Sequence, residues 1–385
     1  MKAVTHATTA FYVFDIPEAV RRVQWLRQHL PRETELCYAV KANPFLIRDL
    51  APHVERLELC SPGEAEICRA LHIAPEQMVI SGVYKSPDVM ERLVSDGGNR
   101  IYTVESLTQF LLLRRLSERH DQPLRLLIRL TNGSQFGVDE TELRAIVADR
   151  ADYPNLEIIG IEYFSGTQKT SLKKLKREIQ MLDRVLGSLS ADYGYYASEL
   201  EYGPGFPVAY FEGEDVDEET LLEGFSELLE TMEHHPRITL ELGRSIAASC
   251  GTYYTHVVDS KCSRGQRYLL TDGGMHQLVY YGQHMAMRQP ILSVVGKEDR
   301  ATEATWNICG ALCSMNDLLA KQVPLPAVEI GDVLRFENAG AYCMTEGSAL
   351  FLSRELPGIY LRHGEGLLQC VRSPQETYPL NMPQL

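Results

Sequence analysis

Three absences narrow this sequence before any motif is considered. No stretch approaches the length of apolar residue needed to span a bilayer, and the opening segment MKAVTHATTAFYVFD lacks the apolar run of a secretory signal. The nine cysteines are odd in number, scattered, and nowhere spaced as CxxC, so reduced thiols are expected rather than a disulfide framework. An excess of positive charge is also missing. With 38 basic against 52 acidic residues the net charge is -14, which repels phosphate backbones and argues against nucleic acid as a partner. Internal repeats and low-complexity linkers are absent too. The expectation is a soluble, cytoplasmic, ordinary globular protein without membrane contact.

What is present is a regular alternation. The 385 residues are too many for one ordinary core, so a large barrel-type domain plus a smaller one is expected. Strand-like ELCYAV, RLELC, QMVISG, RIYTV, LRLLIRL, LEIIGIEYF, SELEYG and RITLEL alternate with amphipathic segments, among them PFLIRDLAPHV and the long SLKKLKREIQMLDRVLGSL. Parallel neighbours need crossover helices. Eight such units over roughly 210 residues match a (β/α)8 barrel, with an open doubly wound sheet as the rival. After about residue 250 the pattern changes to short strands (TYYTHVVDS, QRYLLTDGG, ATWNICG, DVLRFEN, GIYLRH) separated by Gly, Asp and Pro. A barrel over 16–250 and an antiparallel, sandwich-like β domain from 251–385 joined by residues 1–15 are therefore expected.

Barrel chemistry gathers at the C-terminal ends of the strands. The first strand leads to Lys41 in YAVKAN, the second runs through Glu58 to Ser61, and the sixth delivers Phe164, Ser165, Gly166 and Thr167 in EYFSGTQ. The seventh ends in YGPGF with Gly203 and Gly205, and the eighth in ELGR with Glu241 and Arg244. The last two loops commonly bind a phosphate: glycines admit close backbone approach, and a guanidinium matches phosphate oxygens. A lysine at one side of a barrel mouth and a phosphate site at the other is what pyridoxal 5'-phosphate requires, the amine forming an imine and the phosphate anchoring the far end. Glu241 would then sit beside the pyridine nitrogen and keep it protonated. Taken alone, each of these has a plainer reading: a solvated lysine, an ordinary GPG turn, a Glu241–Arg244 ion pair. The constellation is what carries the argument.

With those motifs in place the chain resembles the fold-type III pyridoxal phosphate decarboxylases, the family of ornithine and diaminopimelate decarboxylases. YAVKAN resembles the family's lysine motif, YGPGF its phosphate loop and ELGR its ExGR, and TDGGMHQ, CGALCSMND and ENAGAYCMT resemble its β-domain motifs in order. The resemblance implies that Lys41 binds the cofactor covalently, that Glu241 partners the pyridine nitrogen, and that Thr167, Gly203, Gly205, Arg244 and Tyr342 hold the phosphate. It further implies a head-to-tail homodimer with shared active sites, in which Cys313 of the second subunit faces the substrate and returns a proton to Cα. The related alanine racemases place an arginine at the pyridine nitrogen, so Glu241 favours decarboxylation over racemisation. A small non-catalytic cofactor-binding barrel is the other alternative, and the residues after the barrel count against it.

Three positions depart from the family pattern. Phe164 stands where a histidine usually lies against the cofactor ring; it still offers a face for stacking. Pro204 removes one N–H from the phosphate loop. Ser314 follows Cys313 where ornithine and diaminopimelate enzymes carry an acid; Asp317 lies three residues on as a partial substitute. A distal ammonium group is thus disfavoured. Arg288 is a candidate receptor for a distal carboxylate, and the FSGTQ variant resembles secondary-metabolism members acting on citrate–diaminopropionate conjugates of siderophore assembly or on carrier-linked amino acids. The basic run Lys169, Lys173, Lys174, Lys176 and Arg177 is either a docking face for such a polycarboxylate or acidic carrier protein, or a solvated helix face. The free polycarboxylate is favoured over the carrier. No metal site is expected: Cys309 and Cys313 have no partner pair, and His234-His235 ends a predicted helix.

Overall fold

The computed structural model describes residues 9–364 and 366–383. Its strands are β1 (Phe11–Asp15), β2 (Glu35–Ala39), β3 (Arg56–Leu59), β4 (Met78–Ile80), β5 (Ile101–Val104), β6 (Leu124–Arg129), β7 (Leu156–Phe164), β8 (Glu199–Gly203) and β9 (Arg237–Leu242). They are followed by β10 (Gly251–Ser263), β11 (Gln266–Thr271), β12 (Leu292–Val294), β13 (Ala304–Cys309), β14 (Leu318–Leu325), β15 (Val333–Phe336), β16 (Gly358–Arg362) and β17 (Leu368–Arg372). The helices are α1 (Ile16–His29), α2 (Ile47–Leu50), α3 (Pro62–Ala70), α4 (Pro87–Ser95), α5 (Leu107–His120), α6 (Glu140–Ala148), α7 (Leu172–Tyr193), α8 (Glu218–Glu230) and α9 (Arg244–Ala247).

β2 to β9 close into a parallel barrel, the last strand pairing with the first. Each strand is buried on both faces, which is why the sequence reads as near-continuous apolar runs and not as alternation. Cys37, Val79, Ile101, Leu127 and Ile159 form one fully buried cluster of the barrel. The compact unit built on this barrel comprises Arg22–Pro207 and Val216–Ile246. The doubly wound alternative is ruled out by the closure.

Among the described residues, the second unit takes Val208–Asp215, those from Ala247 onward, and residues 9–21. It holds a nine-stranded sheet in which β1 lies between β10 and β16. Most pairs are antiparallel as expected, but β1 with β16 and β11 with β13 run parallel. The aromatic first strand buries Phe11, Tyr12 and Phe14, and Tyr12 donates to the carbonyl of Gln277 at 2.6 Å.

One helical expectation changes. PFLIRDLAPHV forms a 3-10 turn (Pro44–Leu46), the single turn α2 and a second 3-10 turn (Ala51–His53). Its two prolines, at 44 and 52, prevent a continuous hydrogen-bond ladder. Among the described residues no helix is long and apolar enough to cross a membrane.

Candidate active site

β2 ends at Ala39, and Lys41 lies two residues further, in the middle of the 3-10 turn Val40–Ala42. That turn is fixed locally. The N–H of Asn43 donates to Val40 O at 3.1 Å, Tyr38 donates to the Asn43 carbonyl at 3.0 Å, and the Asn43 side chain caps the next turn by accepting from Phe45 N at 3.1 Å. The lysine therefore projects from a rigid barrel end, not from a mobile loop.

Strand register decides what surrounds it. Ala39 pairs with Glu58 on β3, and Cys37 pairs with Glu241 on β9, so both neighbours of β2 turn a carboxylate toward the position that Lys41 reaches. Lys41 Nζ donates to Glu58 Oε2 at 2.6 Å and to Glu241 Oε1 at 3.0 Å, with Cys60 Sγ at 3.7 Å. The two carboxylates are almost wholly buried, while the lysine side chain keeps 38% exposure. Burial, then the negative charge of Glu58, pushes Glu241 up to about 7. Burial works against ionisation of Glu58 as well, but the Lys41 charge and hydrogen bonds from Glu241, Lys41 and Cys60 bring it below its ordinary value. A proton is thus held more readily by Glu241 than by Glu58, which the Lys41 charge keeps ionised. Burial raises the Cys60 thiol far above its usual range, so it is no nucleophile here.

The ends of β8 and β9, the strands that follow one another back to β2 around the barrel, carry the glycine turn and Arg244. A Cβ on Gly203 would lie 2.3 Å from the Phe164 ring, so glycine is what lets Phe164 cover the end of β8. Gly205 has φ +65°, and a Cβ there would sit 2.1 Å from Gly166 O, so two loops approach closer than any side chain permits. Arg244 is buried at the start of α9, and its Nε donates to Thr167 Oγ1 at 3.2 Å. Thr167, Gly203, Gly205 and Arg244 are brought together on the barrel, and Glu241 bonds to Lys41, in place of the plain ion pair with Arg244 considered above.

Sequence reasoning missed a second polar row. β6, β7 and β8 place Arg129 beside Glu162 and Glu162 beside Glu201. Arg129 lies between Glu105 and Glu162, at 3.3 and 3.4 Å. Burial first, and the other carboxylates despite Arg129, lift Glu162 to about 8. Lys85 is buried, donates to Gly82 O at 3.0 Å, and is lowered by burial to about 8. The available signal was a charge set inside an otherwise apolar parallel strand, as in LLIRL, IIGIEYF and ELEYG.

In the second unit Cys313 is exposed, and Tyr342 takes a left-handed conformation with φ +64°. Four candidates change character. Asp317 is buried, and its oxygens accept from Met275 N and Leu312 N at 2.7 Å each, so it ties backbone turns together and is not open to a substrate. Ser314 is partly spent as well, its Oγ accepting from Asn316 N at 3.2 Å. Arg288 pairs with Glu214 at 2.8 Å and lies over the Phe211 ring, which removes the argument for it as a carboxylate receptor. On α7, Lys173, Lys174, Lys176 and Arg177 are exposed, but Lys169 is buried and ion-paired, so it leaves the basic face. Among the described residues no group of three or more His, Cys, Asp or Glu is arranged to hold a metal.

A lysine fixed between two carboxylates, on the same barrel end as a glycine cradle with a buried arginine, fits a cofactor that joins an aldehyde to a phosphate. That defines the class: parallel barrels that carry pyridoxal 5'-phosphate. Residues 17–248 match the family described as pyridoxal-dependent decarboxylase, pyridoxal binding domain. The chain belongs to this family, the fold-type III pyridoxal phosphate-dependent amino-acid decarboxylases, and is a carboxy-lyase. It is 26% identical to the L-glutamyl-[BtrI acyl-carrier protein] decarboxylase of Niallia circulans, covering 91% of this chain and 87% of that one. It is 25% identical to the 2-[(L-alanin-3-ylcarbamoyl)methyl]-2-hydroxybutanedioate decarboxylase of Staphylococcus aureus, covering 94% and 96%. Helicobacter pylori diaminopimelate decarboxylase in complex with L-lysine shares the fold, with a TM-score of 0.84, 22% identity, and coverage of 98% and 97%.

Proposed function

We propose that the chain removes the α-carboxyl group of an amino acid whose far end bears carboxylates, of the citryl-diaminopropionate type, in the assembly of a siderophore or similar secondary metabolite. The observation carrying this reading is the 312–317 loop. Its only acid, Asp317, is consumed by backbone amides, and Ser314 follows Cys313, so the loop offers no free carboxylate to a distal ammonium group. Ornithine and diaminopimelate are poor matches for that loop. The similarity to the Staphylococcus aureus enzyme over nearly the full length of both chains supports the same substrate class.

Bound pyridoxal phosphate supplies an electrophilic carbon and a ring that stabilises the negative charge left at Cα when carbon dioxide departs. Lys41 contributes a neutral amine once its Nζ proton passes to the Glu58–Glu241 pair. Glu241 would partner the pyridine nitrogen and keep it protonated. Arg244, Thr167 and the turn at Gly203 and Gly205 would hold the phosphate, Tyr342 is assigned to it by the family resemblance, and Phe164 would offer its face to the ring. Cys313, supplied by a second copy in a homodimer, protonates Cα.

A carrier-linked glutamyl substrate is the second reading, favoured by the exposed cations Lys173, Lys174, Lys176 and Arg177 and by similarity to the Niallia circulans enzyme. The test is carbon dioxide release from citryl-diaminopropionate, a glutamyl-loaded carrier protein, diaminopimelate and ornithine, with Lys41→Ala as control. Turnover of the citryl conjugate at least tenfold faster than the others is expected, with none in Lys41→Ala. Preference for diaminopimelate or ornithine would overturn the argument from the loop.

A further inference from the structure

Behind the Phe164–Thr167 loop lies a buried polar cluster that the reaction does not use. Glu178, on the inward face of α7, accepts at Oε1 from the Ser165 hydroxyl. Its Oε2 accepts from Lys169 Nζ at 2.7 Å and from the Tyr202 hydroxyl at 2.5 Å. Three of the four groups sit where water is scarce, with Ser165 half-buried: Tyr202 is buried, the Lys169 side chain is 1% exposed and that of Glu178 9%. Lys169 Nζ also lies 5.6 Å from the centre of the Tyr202 ring. Burying an ion pair this way gains little stability by itself, since desolvation offsets most of the attraction. What it secures is geometry, because both charges are satisfied only when the loop, the helix and β8 are in register.

The loop held in this way bears directly on the glycine cradle. Ser165 and Lys169 bracket Gly166 and Thr167, and the backbone N–H of Lys169 donates to Gly205 O at 2.9 Å. That places Gly166 O where only a glycine at 205 can meet it, and aims the Thr167 hydroxyl at Arg244. We propose that Glu178 and Lys169 are positioning residues for the phosphate cradle: anchored through Ser165 and Tyr202, they set the distance between the Gly166–Thr167 loop and the Gly203–Gly205 turn, and so the affinity for a phosphate-bearing cofactor. The proposal rests on the reading of that cradle as the phosphate site.

The test compares pyridoxal 5'-phosphate with pyridoxal, which has the same aldehyde and ring but no phosphate. Cofactor-free wild type, Glu178→Gln, Lys169→Met and Ser165→Ala are titrated with each, following the visible absorbance of the bound form. Inorganic phosphate is used as a competitor. The expected result is at least a tenfold weaker Kd for pyridoxal phosphate in Glu178→Gln and Lys169→Met, with pyridoxal binding changed less than twofold and weaker competition by phosphate. Ser165→Ala, which removes one hydroxyl bond to the Glu178 carboxylate and leaves the ion pair intact, gives a smaller loss in the same direction and serves if the charge variants fail to fold. A parallel loss of both affinities, or no loss of either, overturns the positioning role. Wild type that binds pyridoxal as tightly as its phosphate overturns the cradle itself, and the proposal with it.

Discussion

Glu241 stands between a cation and another acid, and its value follows from that position. The burial that lifts it to about 7 disfavours its charge, the Glu58 carboxylate adds to this, and Lys41 pulls the other way. Glu241→Gln keeps the shape and the hydrogen bond but cannot give or take a proton. Its decarboxylation rate is expected to fall by about two to four orders of magnitude, while the cofactor's visible absorbance persists; single-turnover kinetics on the loaded protein check this. A rate within threefold of wild type would show that the group beside the ring needs no ionisation. Lys41 and Glu241 were legible because each interrupts an apolar strand at its C-terminal end. Glu58 does the same, yet its role stayed hidden: only strand register shows that it faces Lys41 from β3 as Glu241 does from β9. Asp317 misled for the opposite reason, since sequence does not reveal that two backbone amides already claim its oxygens.

Elements were more legible than their contents. All eight barrel strands follow from apolar runs between amphipathic segments, because a parallel strand is buried on both faces. β12, β14 and β17 escaped notice: the first has three residues, the second contains Pro324, and the third is partly exposed. What was passed over, although single charges inside apolar strands marked it, is the charge row across β6, β7 and β8, and it makes stability depend on pH. Glu162 is lifted to about 8 in the fold, whereas in the unfolded chain it titrates near the usual 4.3. Between those values the folded protein retains a proton that the unfolded chain has released, so this contribution weakens as pH rises and is spent above about 8. Glu241 acts in the same direction and Glu58 in the opposite one. Thermal unfolding of the cofactor-free protein from pH 5 to 8 should therefore show a decline that is smaller by about 1–2 kcal/mol in Glu162→Gln. Equal slopes in the two proteins would mean that Glu162 is already ionised beside Arg129.

For the whole molecule, the residues assigned to one reaction are divided between two compact units. Lys41, Thr167, Gly203, Gly205, Glu241 and Arg244 belong to the barrel unit, whereas Cys313, Ser314 and Tyr342 belong to the other. If the active sites are shared in a two-fold homodimer, as proposed, Lys41 and Cys313 serving one site come from different copies. Lys41→Ala and Cys313→Ala homodimers are then each nearly inactive, because every site lacks one partner. When the two variants are mixed and allowed to exchange, about half of the dimers contain one of each, and one of their two sites is intact, so about a quarter of wild-type activity should return. Complementation is the informative quantity, since it separates sharing from mere association. Two variants that form mixed dimers, followed by mass spectrometry of differently tagged chains, yet recover no activity would show that Lys41 and Cys313 of a single chain serve the same site.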